Sequence, residues 1–172
     1  PIFKLIEKEL FGMKWFIKKV PVSERPRFIV DRLYKLGSQY VATDYTAFES
    51  LFVQELMSAC EFELYSYMTQ HLPEAGVFMG LVTNVIGGDN TCVFKDFWVK
   101  LRATRMSGEM CTSLGNGFSN LMFMLFTCLE NGNTCVDGVV EGDDGLFTMA
   151  GRPPTSEDFA RLGLIIKMEI HD

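Results

Sequence analysis

Histidine is nearly missing from this chain, with two in 172 residues, and none of the five cysteines stands in a C-x-x-C pair. That removes the usual spacing of a structural zinc. Cys60, Cys92, Cys111, Cys128 and Cys135 form an odd, scattered set, expected to be reduced thiols of a cytosolic setting that pack as small hydrophobes. Long apolar runs are lacking too. The greasiest stretch, "LMFMLFTCL", is cut on both sides by polar residues or glycine and falls short of a membrane span. Nor is there a basic excess: the formal net charge is −6. A domain that grips phosphates by charge alone needs a basic face. Any nucleic-acid role must therefore rest on bound cations or on basic parts outside this chain. The opening "PIFKLIEKEL" lacks a Met and mixes charges, so it reads as neither a signal nor a transit peptide. A start at Pro1 is what a piece of a longer chain would give. Repeats, low-complexity tracts and long linkers are absent from the sequence.

What is present is apolar and aromatic: 48% hydrophobic residues, with 15 Phe and 10 Met, enough for one sizeable core. "SERPRFIVDRLYKLG" predicts a helix opened by Ser23, with Pro26 in its first turn and Gly37 just past its end. "QYVATDYT" reads as a short strand carrying Asp44. Residues 48–71 contain no Gly or Pro and predict one helix stopping before Pro73. "TCVFKDFWVKLRAT" predicts two strands around a turn. Residues 105–132 predict a loop feeding a helix that ends near Gly132. "TCVDGVV" and "GLFTM" predict a hairpin with Glu141, Asp143 and Asp144 at its tip. A helix at 155–162, opened by Thr155 or Ser156, and a strand "LIIKMEI" complete the order. The expected class is α+β, a mainly antiparallel sheet with helices packed on one face.

Three constellations carry chemistry. Adjacent carboxylates on a tight turn repel one another and lose solvation, a cost that a divalent cation relieves. "GDD" by itself reads equally as a solvated turn. Asp44, at the end of an apolar strand, can project toward that tip or cap the helix that follows. Glu49 can act beside it or favour the dipole of that helix. In "MSGEMCTSLGNGFSN", Ser107 and Gly108 make a loop before a helix, and Thr112 and Asn116 share one face of it. They suit hydrogen bonding to a sugar hydroxyl, or simple capping.

Taken together and in order, these segments resemble the palm domain of RNA-dependent RNA polymerases from positive-strand RNA viruses, in a tombusvirus-like or flavivirus-like form. "DYTAFE" at 44–49 resembles motif A, "SGEMCTSLGN" at 107–116 motif B, "GDD" at 142–144 motif C, and "FARLGLIIKME" at 159–169 motif D. The resemblance covers residues 38–172, preceded by a leading segment and helix over 1–37. It implies a single polymerase palm, with fingers and thumb largely outside the chain.

The resemblance also implies roles. Asp44 and Asp143 would hold two Mg2+ or Mn2+ ions, with Asp144 in support and the backbone carbonyl of Tyr45 as a further ligand. Lys167 would protonate the leaving pyrophosphate; without the resemblance it reads as a solvated strand-end lysine. Ser107, Thr112 and Asn116 would read the ribose 2′-hydroxyl, and Gly108 would let the loop move with the template. Glu49 stands where most relatives carry Asp, one methylene longer, which weakens its assignment to the sugar. The basic segment "WFIKKVPVSERPRF" lies too close to motif A to be the basic fingers motif, and Lys18, Lys19, Arg25 and Arg27 are expected to be solvated.

The implied function is template-directed RNA synthesis by two-metal nucleotidyl transfer. The implied partners are an RNA template, a primer or nascent strand, nucleoside triphosphates, the fingers and thumb of a parent polymerase, and other replication proteins. The implied setting is a viral replication complex in the host cytoplasm, tied to membrane only through other regions or proteins. Two rivals remain. A reverse transcriptase shares the palm but lacks the S-G-x3-T-x3-N helix, and an inert palm module would leave the acidic tip idle. "GGDN" at 87–90 evokes a nucleotidyl cyclase turn, but no partner strand fits it.

Overall fold

The computed structural model describes residues 1–106, 108–133 and 135–171. In chain order, α1 (Ile2–Leu10), α2 (Arg25–Leu33) and β1 (Tyr40–Tyr45) lead to α3 (Gln54–Ala59), α4 (Glu61–Thr69) and α5 (Ala75–Leu81). The hairpin β2 (Asp89–Val93) and β3 (Trp98–Arg102) precedes α6 (Thr112–Glu130). β4 (Val136–Glu141), β5 (Asp144–Met149), α7 (Ser156–Ala160) and β6 (Ile166–His171) close the order. The residues fall into two compact units, one of Pro1–Phe48 with Ser113–Asp172 and one of Glu49–Thr112.

The first unit is built on an antiparallel sheet in the order β4-β5-β1-β6. Alternation along β1 buries Val41, Thr43 and Tyr45 on one face and leaves Ala42 and Asp44 on the other. On the buried face Tyr45 stacks on Phe48 at 4.3 Å and meets Phe159 of α7 edge-on at 6.3 Å. Phe48 in turn meets Phe123 of α6. The Phe147 ring lies across two glycines there: a Cβ on Gly138 or Gly145 would come within 2.4 Å of it. Over the β4 end of the opposite face, Phe28, Ile29 and Leu33 of α2 pack with Ile17, Val20, Tyr40, Val139 and Leu146. The outer edge of β4 is covered as well, since Val140 exchanges backbone hydrogen bonds with Trp15 and Ile17.

The second unit holds α3, α4, α5, a π-helical turn (Val82–Ile86) and the β2–β3 hairpin. Its interior contains a charged pair. Glu61 and Arg105 form a salt bridge with both side chains fully buried. Tyr65 donates its hydroxyl to Glu61 Oε2 at 2.8 Å, and the guanidinium lies 4.3 Å over the Phe52 ring. Burial pushes the Glu61 carboxyl up, against the opposing pull of Arg105 and the Tyr65 hydroxyl. The Cys111 thiol beside them is pushed up to about 11, chiefly by burial and then by Glu61.

Several sequence expectations shift. The 48–71 helix is a 3-10 turn (Phe48–Leu51) followed by α3 and α4, broken at Cys60, whose φ of −123° and ψ of −85° leave the helical region. Ser23 does not cap α2. It lies in a 3-10 turn, and the helix stops at Leu33, before an extended Tyr34. Cys60, Cys111 and Cys128 are buried as expected, whereas Cys135 is exposed and Cys92 half-buried. The capping of α7 is as read: Asp158 accepts the Thr155 backbone N–H at 2.8 Å and its hydroxyl at 2.9 Å. No helix among the described residues is long and apolar enough to cross a membrane.

Candidate active site

The acidic hairpin closes with Glu141 paired to Asp144, so the connection is two residues, Gly142 and Asp143. Gly142 takes φ +61°, as the first central residue of a II′ turn requires and a side chain would resist. β5 pairs next with β1, where Thr43 faces Gly145. On the far side of β1, Asp44 faces Lys167 of β6. Residues paired across neighbouring strands share a face. Asp44, Asp144 and Lys167 therefore line one cleft of about 430 Å³ in the first unit, with Arg25, Glu141 and Glu169. Asp143 sits at the turn beside them.

Asp144 opens onto the cleft, yet its carboxyl is held above the ordinary carboxylate range. Loss of solvent is the first cause, followed by the charges of Asp143, Asp44 and Glu141, all acting in the same direction. An incoming cation would reverse that repulsion. Among the described residues, no three His, Cys, Asp or Glu side chains stand close enough to enclose a metal ion. The fit is thus one of chemistry: hard carboxylate oxygens in mutual repulsion at one strand end.

Two residues that sequence reasoning did not place in the site grip the turn. Arg25 is not solvated, as had been expected. Its Nη1 and Nη2 donate to Glu141 Oε2 and Oε1 at 2.6 and 3.0 Å, and its Nε donates to the Val20 carbonyl at 3.1 Å. Lys18 stays exposed, as expected, while donating to the Ser113 hydroxyl and lying over the Phe11 ring. Arg27 pairs with Asp31 at the surface, as expected of a solvated helix. From the other face of the sheet, the Asn120 amide of α6 donates to the carbonyls of Gly142 at 3.1 Å and Asp144 at 2.9 Å. An acidic turn signals its own chemistry, but nothing local in sequence marks an arginine 116 residues away as its partner. Arg25→Ala is expected to lower the stability of the domain by about 1–2 kcal/mol. A denaturant midpoint shift at unchanged m would show it.

The remaining assigned residues are distributed. Asn116 is buried on α6. Glu49 sits half-buried in the 3-10 turn that opens the second unit. Gly108, with φ +89°, and Thr112, whose hydroxyl donates to the Met106 carbonyl at 3.3 Å, also belong to that unit. Ser107 lies outside the described residues. The Tyr45 side chain is buried against Phe48, and its backbone continues β1 opposite Ile166.

A four-stranded antiparallel sheet with carboxylates at one strand end, backed by a long helix, is similar to the fold of viral polymerase palms. The chain superposes on the RNA-dependent RNA polymerase of a human picorbirnavirus with TM-score 0.74 and 14% identity, covering 99% of this chain and 34% of that one. An insertion-loop deletion mutant of that polymerase gives 0.71 at the same identity and coverage. This chain thus spans about a third of the length of those solved structures. No curated protein matches it in sequence. The family model described as viral RNA-dependent RNA polymerase matches residues 11–167, and the chain belongs to that family.

Proposed function

We propose that this chain is the catalytic palm of a viral polymerase that copies an RNA template, joining nucleoside triphosphates to an RNA 3′-hydroxyl. The observation that supports it is the convergence of Asp44, Asp144 and Lys167 on one cleft beside Asp143. Asp44 and Asp143 would hold Mg2+ or Mn2+, with Asp144 in support and the Tyr45 carbonyl adjoining. Two such ions, when bound, activate the attacking hydroxyl and neutralise the departing pyrophosphate. Lys167, directly across from Asp44, is placed to pass a proton to a leaving-group oxygen. Glu49, Ser107, Thr112 and Asn116 read the ribose 2′-hydroxyl, and Gly108 lets the loop between them move. RNA template, primer or nascent strand and triphosphates are the ligands. The fingers and thumb of the parent polymerase and other replication proteins are the partners, in a replication complex of the host cytoplasm.

The test is incorporation of a labelled ribonucleotide by the parent polymerase on a primed RNA, with Mg2+ or Mn2+. Template-dependent incorporation that is lost on chelation is the expected result. A preference for deoxynucleotides would identify a reverse transcriptase-like enzyme, and a parent without incorporation would leave an inert palm module. Glu49→Asp is expected to retain activity and sharpen discrimination against deoxynucleotides. Looser discrimination would remove Glu49 from the sugar-reading set.

A further inference from the structure

The Asn120 side chain is fully buried on α6 and lies outside every motif that carries the resemblance. Its amide nitrogen reaches both the Gly142 and Asp144 carbonyls, those of the residues on either side of Asp143. Both partners are acceptors, so the nitrogen must face them. Its own Oδ1 is buried with no hydrogen-bond partner among the described residues. A buried amide that leaves its acceptor unused is a poor choice for stability alone, because an orphaned polar atom carries its full desolvation cost. The gain lies elsewhere: one rigid group on a 19-residue helix fixes the backbone on both sides of an aspartate.

The surroundings favour the same reading. Glu141, Asp143, Asp144 and Asp44 repel one another in the absence of cations, which would splay a two-residue turn. Arg25 restrains the Glu141 end through its side chain. Asn120 restrains the turn backbone itself.

We propose that Asn120 is a positioning residue for the catalytic turn, holding Asp143 and Asp144 in place against their mutual repulsion so that less reorganisation accompanies cation and triphosphate binding. This rests on the polymerase reading given above. Preorganised groups act more strongly in the transition state than in the ground state, so the effect falls on kcat rather than on nucleotide KM.

Asn120→Leu keeps the branched shape and removes both donors. In the full-length polymerase, amide hydrogen exchange across residues 142–145 is expected to rise at least about tenfold, reporting freer opening of the turn. Exchange in β1 and the thermal midpoint should stay close to wild type. The kcat for incorporation should fall on the order of ten- to a hundredfold, with nucleotide KM changed by less than about threefold. Unaltered exchange at the turn would overturn the proposal, as would a kcat loss matched by an equal loss of folded enzyme. The exchange measurement needs no catalysis. A wild-type enzyme without activity but with the expected exchange change would therefore leave the positioning intact and reject only the polymerase reading.

Discussion

Asp143→Ala in the full-length polymerase should abolish nucleotide incorporation while leaving the domain folded. If Asp143 is a principal holder of the two ions, its loss removes both activation of the hydroxyl and neutralisation of the leaving group. A deficit on the order of a thousandfold or more, at least about 4 kcal/mol of barrier, is expected. Stability without metal should move the other way. Asp143 is one of the charges that push up the Asp144 carboxyl, so deleting it relieves like-charge repulsion at the hairpin end. The thermal midpoint of the metal-free variant should equal or exceed that of wild type. Adding Mg2+ should stabilise wild type more than the variant, because a ligand that binds only the folded form raises its stability. Residual activity near wild type would sink the metal assignment. A variant that unfolds would make Asp143 a structural residue instead.

The second large effect lies in the other unit and concerns folding. Breaking the buried Glu61–Arg105 pair from one side should cost about 3–5 kcal/mol, because the survivor is left charged in an apolar interior. Glu61→Leu alone should therefore lower the unfolding midpoint by roughly 10 °C. Arg105→Met alone should do similar damage, stranding Glu61 with only the Tyr65 hydroxyl. The double variant should recover most of the loss. Arg105 Nε and Nη1 already lack hydrogen-bond partners among the described residues, so an apolar replacement gives up less than a fully satisfied pair would. Additive penalties in the double variant would show that the two charges do not depend on each other. Arg105 lies two residues before Ser107 in the sequence. Nucleotide selection should be measured in any variant that still folds.

The parts of this fold that were legible in the sequence are those whose signal is local. The acidic hairpin shows itself through alternating apolar residues around a Gly-led turn, and α6 through a long periodic run that stops at Gly132, where φ is +76°. The strand pairing that joins Asp44 to Lys167 was not local, yet the ordered motifs anticipated its members. What was missed depends on distant partners. The break at Cys60 carries no Gly or Pro; it precedes the segment that turns Glu61 and Tyr65 inward to meet Arg105, 44 residues on. Arg25 looked solvated because its charge is evident while its partner, Glu141, is not. Asn120 looked like an ordinary polar helix residue. Only the register of β4 with β5 brings the two carbonyls that it serves over its amide.

Phe147 lying across Gly138 and Gly145 has a consequence for how this gene can change. A methyl at either glycine would meet the ring at 2.4 Å, and at Gly145 it would also meet the Thr43 hydroxyl at 2.6 Å. Every base change in the first two letters of a glycine codon replaces the glycine. These two codons therefore act as a filter within the two strands that carry the acidic turn. Variants there would be purged for want of space, whatever their effect on charge. Lineages that do escape should carry a smaller residue at 147 in the same genome. The glycines and the phenylalanine are thus expected to drift together or not at all.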